Sequence, residues 1–217
     1  VSIANNVNQV RQTIDAHRTD QAVTLIAVTK SVGPDVANAL YAEGVRDFGE
    51  NRPEGLLEKV EQLPADAKFH FIGSLQTRKV RQIIDHVAAI HSLDRLSLAE
   101  EIDKRAQGVI DCFVQVNVSG EASKHGLEKE EVIPFIENCK QYPHVRIIGL
   151  MTMAPFTEDE TVIRDTFRNL RQLRDDVARQ AYPHAPCTEL SMGMSNDYTL
   201  AIEEGASFVR IGTVLVQ

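Results

Sequence analysis

Short runs of apolar, often β-branched residues alternate along this chain with longer segments whose apolar positions recur every three or four residues. The runs that read as strands are Thr24–Lys30, Val45–Glu50, Phe69–Gly73, Ala88–Leu93, Asp111–Val118, Arg146–Met153, Thr188–Met192 and Ser207–Ile211. Each is apolar almost throughout, as expected of a strand buried on both faces. A helix over Ile3–His17 precedes the first run, and Pro34–Ala42 starts with proline and stops before Gly44, the asymmetry typical of helix ends. Further helical segments are Arg52–Gln62, Thr77–Asp85, Leu96–Gln107, Glu128–Lys140, Glu158–Gln180 and Asn196–Glu204. In Glu158–Gln180, Phe167, Leu170, Leu173 and Val177 share one face at helical spacing.

This alternation predicts a parallel sheet with helical crossovers. Eight strands in 217 residues favour an α/β fold of the (β/α)8 TIM-type barrel class, with an extra N-terminal helix; an open doubly wound sheet is the alternative. No linker or low-complexity stretch interrupts the pattern, so residues 1–217 read as a single domain.

Composition narrows the partners. A net charge of −8 and a pI near 5.4 argue against a general nucleic-acid or anionic-membrane binder, which needs clustered cations. Cys112, Cys139 and Cys187 are widely spaced, which fits inert thiols in a reducing cytoplasm. The start of the chain does not read as a signal peptide. No stretch approaches the roughly 18 apolar residues that span a bilayer. The histidines lack metal-ligand spacing, and no Walker loop, GxGxxG fingerprint or GxSxG elbow is present.

Functional groups of a barrel gather where strands end. Those positions include Lys30, Glu50, Asn51, Gly73, Ser74, Ser92, Asn117, Ser119, Met151 to Met153, Ser191 to Ser195 and Arg210 to Thr213. Lys30 closes an apolar run; in partly apolar surroundings such an amine can lose its proton and attack an aldehyde, although a lone strand-end lysine is ordinarily a surface residue. The segment Ser191-Met192-Gly193-Met194-Ser195-Asn196-Asp197 runs from a strand into a helix, with Ser195 a candidate N-cap. Arg210-Ile211-Gly212-Thr213 offers close backbone approach and a hydroxyl. These two loops follow the last two strands, the usual phosphate position of a barrel. Beside Lys30 they suggest a phosphorylated aldehyde. Arg78, Lys79 and Arg81, at the third strand's mouth, read as a solvated helix start.

The chain resembles the pyridoxal phosphate homeostasis proteins over nearly its whole length. The resemblance rests on Ala27-Val28-Thr29-Lys30, Phe48-Gly49-Glu50-Asn51, the string from His70 to Lys79 (HFIGSLQTRK), and His91-Ser92-Leu93-Asp94-Arg95. It continues through Val116-Asn117-Val118, Lys124-His125-Gly126-Leu127, Gly149-Leu150-Met151-Thr152-Met153, the 190–195 segment and the 209–213 segment. It implies a fold-type III barrel holding pyridoxal 5′-phosphate as a Schiff base on Lys30. Asn51, Ser191, Met194, Arg210, Gly212 and Thr213 are then expected around the ring and phosphate. It also implies a cytoplasmic, often monomeric protein that buffers and delivers the cofactor to apo-enzymes without established turnover. Two departures stand out: Arg52-Pro53 follows Asn51 where the family commonly has tyrosine, and the chain stops at Gln217 where members usually continue.

An amino-acid racemase is the competing reading. Two-base racemization needs a proton donor on each face of the cofactor, and alanine racemases draw the second, a tyrosine, from an added β-domain that this chain has no room for. The strand-end groups nearest the phosphate loops, Ser191 and Arg210, are not acidic, which predicts a ring nitrogen left unprotonated and a weak electron sink. An interaction role is the third reading, with Arg78, Lys79 and Arg81 docking a recipient enzyme.

Overall fold

The computed structural model describes residues 2–121 and 125–217; Val1 and the motif residue Lys124 lie outside them. Among the described residues, eight parallel strands close into a barrel in chain order. They are β1 Thr24–Val28, β2 Asp47–Glu50, β3 Lys68–Phe71, β4 Ala89–Leu93, β5 Ile110–Gln115, β6 Val145–Met151, β7 Glu189–Ser191 and β8 Phe208–Ile211. The seam settles the topology: β8 pairs with β1, Thr24 opposite Phe208 and Ile26 opposite Arg210. An open sheet has no such pairing.

The helices are α1 Ile3–His17, α2 Pro34–Ala42, α3 Pro53–Gln62, α4 Val80–Ile83, α5 Leu96–Arg105, α6 Lys129–Asn138, α7 Glu160–Arg179, α8 Tyr198–Glu203 and α9 Thr213–Val216. Two differ usefully from expectation. The segment 77–85 is a 3-10 turn, Thr77–Lys79, followed by the single helical turn α4. α8 starts at Tyr198, with Asp197 at the N-cap position. The cause is a closed turn ahead of it: Met194 N donates to Asp197 Oδ1 at 2.8 Å, and Tyr198 N donates to Met194 O at 2.8 Å. Ser195 therefore stays in the turn and does not cap α8.

The main core lies between sheet and helices. α7 contributes Ile163, Phe167, Leu170 and Val177, each buried side chain adding about 1.5–3 kcal/mol; Leu173 packs at its edge. Inside the barrel the filling is partly polar. In β3, Phe69 and Phe71 join the outer core while His70 between them is also buried, as strand alternation requires. His91, Ser191 and Arg210 are buried as well, beside a small cluster of Ala89, Phe113 and Met151. No described helix is long and apolar enough to cross a membrane.

Candidate functional site

A cavity of ≈ 420 Å³ opens at the C-terminal end of the barrel, between the end of β1 and the loops after β7 and β8. This is a size suited to a small ligand. Lys30 stands on its rim, two residues beyond β1 and exposed. Among the described residues it makes no hydrogen bond or ion pair. Its backbone neighbour is anchored. The Thr29 carbonyl accepts from buried Lys59 Nζ at 2.9 Å, Lys59 pairs with Glu50 Oε2 at 2.9 Å, and Thr29 Oγ1 donates to the same oxygen.

Met194, Arg210, Gly212 and Thr213 line the same cavity as Lys30. Gly193, at φ +104°, turns the chain out of β7. A Cβ there would come within 2.7 Å of Ala201 Cβ, so only glycine lets Met194 reach the rim. Ser191 sits behind the wall. It is fully buried, and Arg210 Nη1 donates to its Oγ at 2.5 Å. Asn51 lies off the lining, beside Gly73, where a Cβ would stand 2.7 Å from Asn51 Cβ.

The lining suits an anionic group joined to a ring. Val28, Phe156, Met194 and Val214 supply apolar surface. Arg210, 4% exposed, supplies a positive charge that donates to two neutral acceptors, Ser191 Oγ and, at 3.1 Å, Thr152 O. Burial lowers its pKa to about 10, partly offset by the Asp197 carboxylate. Val214 N donates only a long 3.3 Å bond to Ser195 Oγ, so an incoming oxygen competes easily for it. A phosphate on these loops and an aldehyde at Lys30 match the donor set.

Several participants carry no strand-end signal. Phe156, 95% exposed, reaches the rim from the β6–α7 loop. Asp47, His70 and His91 lie inside the barrel, legible only as inward positions of alternating strands. Ser92 keeps a buried hydroxyl with no partner among the described residues. Arg78 and Arg81 are exposed, as a solvated segment should be. Cys112, Cys139 and Cys187 are buried free thiols; burial pushes Cys139 and Cys187 up to about 12, and Cys112 up as well.

The family profile described as Alanine racemase, N-terminal domain, matches residues 1–217. A pyridoxal phosphate homeostasis protein of Aquifex aeolicus is 44% identical over 207 residues, covering 92% of this chain and 89% of that protein. This chain belongs to the pyridoxal phosphate homeostasis protein family. The human family member is 34% identical over 205 residues, 88% of this chain and 74% of its own length. Among solved family structures, Synechococcus elongatus PipY with PLP bound superimposes with a TM-score of 0.88 at 32% identity, covering 99% of this chain and 100% of that one. Alanine racemase from Corynebacterium glutamicum shares the fold alone, at 16% identity and a TM-score of 0.76; the match covers 99% of this chain and 59% of the racemase.

Proposed function

We propose that this protein binds pyridoxal 5′-phosphate at the barrel mouth through a Schiff base to Lys30, and serves to buffer and deliver it to enzymes that require it. The observation that carries this reading is one cavity joining an unpaired lysine, a buried arginine and the loops after β7 and β8. When bound, the cofactor supplies an aldehyde that condenses reversibly with an amine, releasing water, and a ring whose absorption reports that state.

The chain's own residues have distinct tasks. Lys30 is the nucleophile. Gly212, Thr213 and Val214 hold the phosphate through backbone and hydroxyl donors, helped by Arg210. Met194 and Val28 would give the ring apolar surroundings, and Ser191 would act through Arg210. Asn51 stands off the lining, beside Gly73, and has no direct part in holding the cofactor on this reading. The reading takes residues 1–217 as one domain working as a cytoplasmic monomer without turnover of its own. Among the described residues Lys30 is the one basic amine on this lining, whereas racemization needs a second proton donor opposite it.

Absorption spectra of the protein with added pyridoxal phosphate, before and after borohydride, test it. The native chain should show a visible band that borohydride fixes onto Lys30. A band retained in Lys30→Ala, or none in the native chain, would sink the assignment.

A further inference from the structure

A continuous line of hydrogen bonds crosses the barrel interior from floor to mouth. Asp47 Oδ1 meets His70 Nε2 at 2.8 Å, His70 Nδ1 meets His91 Nε2 at 2.9 Å, and His91 Nδ1 meets Ser191 Oγ at 2.8 Å. Arg210 Nη1 then donates to Ser191 Oγ at 2.5 Å. Asp47 lines a second cavity, of ≈ 370 Å³, at the N-terminal end of the barrel with Arg11, Asp15 and Arg46. Arg210 lines the mouth cavity. The line therefore joins the two ends of the molecule.

Elementary donor counting fixes its direction. Arginine only donates and an ionised carboxylate only accepts. His70 must then give its Nε2 hydrogen to Asp47, which leaves Nδ1, in a neutral ring, as an acceptor. His91 must donate to it from Nε2, so His91 Nδ1 accepts, and only the Ser191 hydroxyl can supply that hydrogen. Ser191 oxygen in turn accepts from Arg210. Every hydrogen points toward the floor.

Protonating His70 reverses the two middle links, His70–His91 and His91–Ser191, while Asp47 still accepts from His70 and Ser191 still accepts from Arg210. With hydrogens on both its nitrogens, His70 donates to His91 Nε2. His91 then carries its hydrogen on Nδ1 and donates to Ser191, whose own hydrogen must turn elsewhere. His91 itself resists protonation. It is fully buried, and desolvation, a charged His70 and Arg210 all hold it well below the usual imidazole range. The charged neighbours are Asp47 from β2 and Arg210 from β8, with Asp197 acting on Arg210. β5 and β8 otherwise present Phe113, stacked on His91 at 4.2 Å, and Phe208.

We propose that His70 and His91 are positioning residues of the mouth site, transmitting the protonation state of the Asp47–His70 pair to Ser191 and Arg210. This rests on the cofactor reading only for what the mouth holds. The hydrogen-bond direction is a property of the chain itself, and nitrogen-15 NMR of the histidine rings reads it without cofactor.

The native protein should show both rings as Nε2–H tautomers, and His91 should switch to Nδ1–H once acid has put a second hydrogen on His70. Asp47→Ala should mix the tautomers of both rings, while Asp47→Asn, which keeps an acceptor, should restore them. In cofactor-loaded protein, Asp47→Ala should move the pH profile of the visible band by at least about half a unit, and Asp47→Asn by less. An Nδ1–H ring at the outset, a His91 tautomer that ignores pH, or a band profile indifferent to Asp47→Ala would overturn the inference. If no band forms at all, the cofactor reading fails, and the tautomers alone decide whether the line is directional.

Discussion

Two lysines stand next to the same threonine and live opposite lives. Lys30 follows Thr29 in the chain, is exposed, and has no polar partner among the described residues. Lys59, on α3, is 3% exposed and donates to the Thr29 carbonyl while pairing with Glu50, which is 1% exposed. Burial spends the charge of Lys59 on structure; exposure leaves the amine of Lys30 available for chemistry. A buried pair need not stabilise more than an apolar pair would, but breaking one strands a charge. Lys59 thus holds the platform from which Lys30 projects.

The widest separation of the two roles comes from replacing each lysine. Lys59→Met leaves Glu50 uncompensated and should cost about 3–5 kcal/mol, read as a lower urea midpoint. What remains folded should still capture pyridoxal phosphate. Lys30→Ala should do the reverse, abolishing capture while shifting stability by no more than about 0.5 kcal/mol. If Lys59→Met melts like the native chain, the platform idea fails.

A smaller effect probes the same pair from the α3 backbone. Glycine inside a helix normally gains roughly 1 kcal/mol on replacement by alanine. At Gly55 the new Cβ would stand 2.5 Å from Glu50 Oε1, an oxygen unable to swing away without breaking its buried pair. Gly55→Ala should therefore lose about 1 kcal/mol in urea unfolding. An ordinary stabilising response would mean that Glu50 has room to move.

These partners show what the sequence could and could not disclose. Apolar runs and helical spacing located every strand of the barrel, and the ranges Ile3–His17 and Pro34–Ala42 are those of α1 and α2. Thr77–Asp85 has helical periodicity yet forms only a 3-10 turn and one helical turn, because periodicity measures which face is apolar and says little about how many turns the backbone completes. Lys30 and the loops around Met194 and Gly212 were legible because strand ends are where a barrel keeps its chemistry. Lys59 was not, since a lysine in a charged helix reads as solvated. Nor was the line from Asp47 to Arg210. Alternation says that His70 and His91 turn inward, but only the register of strands far apart in sequence brings Ser191 of β7 to His91 of β4.

The smallest expected effect separates burial from pairing. Glu203, on α8, is paired with Arg164 Nη2 at 2.7 Å and His17 Nδ1 at 2.5 Å, but its side chain is 34% exposed. The Arg164 hydrogen bond, then that of His17, lowers its pKa below the usual carboxylate range. A carboxylate whose folded pKa is lowered adds stability above its unfolded pKa and loses it as pH falls through the folded value. Solvent screening limits the gain to at most about 0.5 kcal/mol. Glu203→Gln should accordingly lower the urea midpoint slightly at neutral pH and low salt. The difference should fade at high ionic strength and vanish once acid has protonated Glu203 in the native chain. A loss comparable to that of Lys59→Met would show that pairing, rather than burial, sets the worth of an ion pair in this barrel, and the contrast between Lys30 and Lys59 would have to be argued from hydrogen bonding alone.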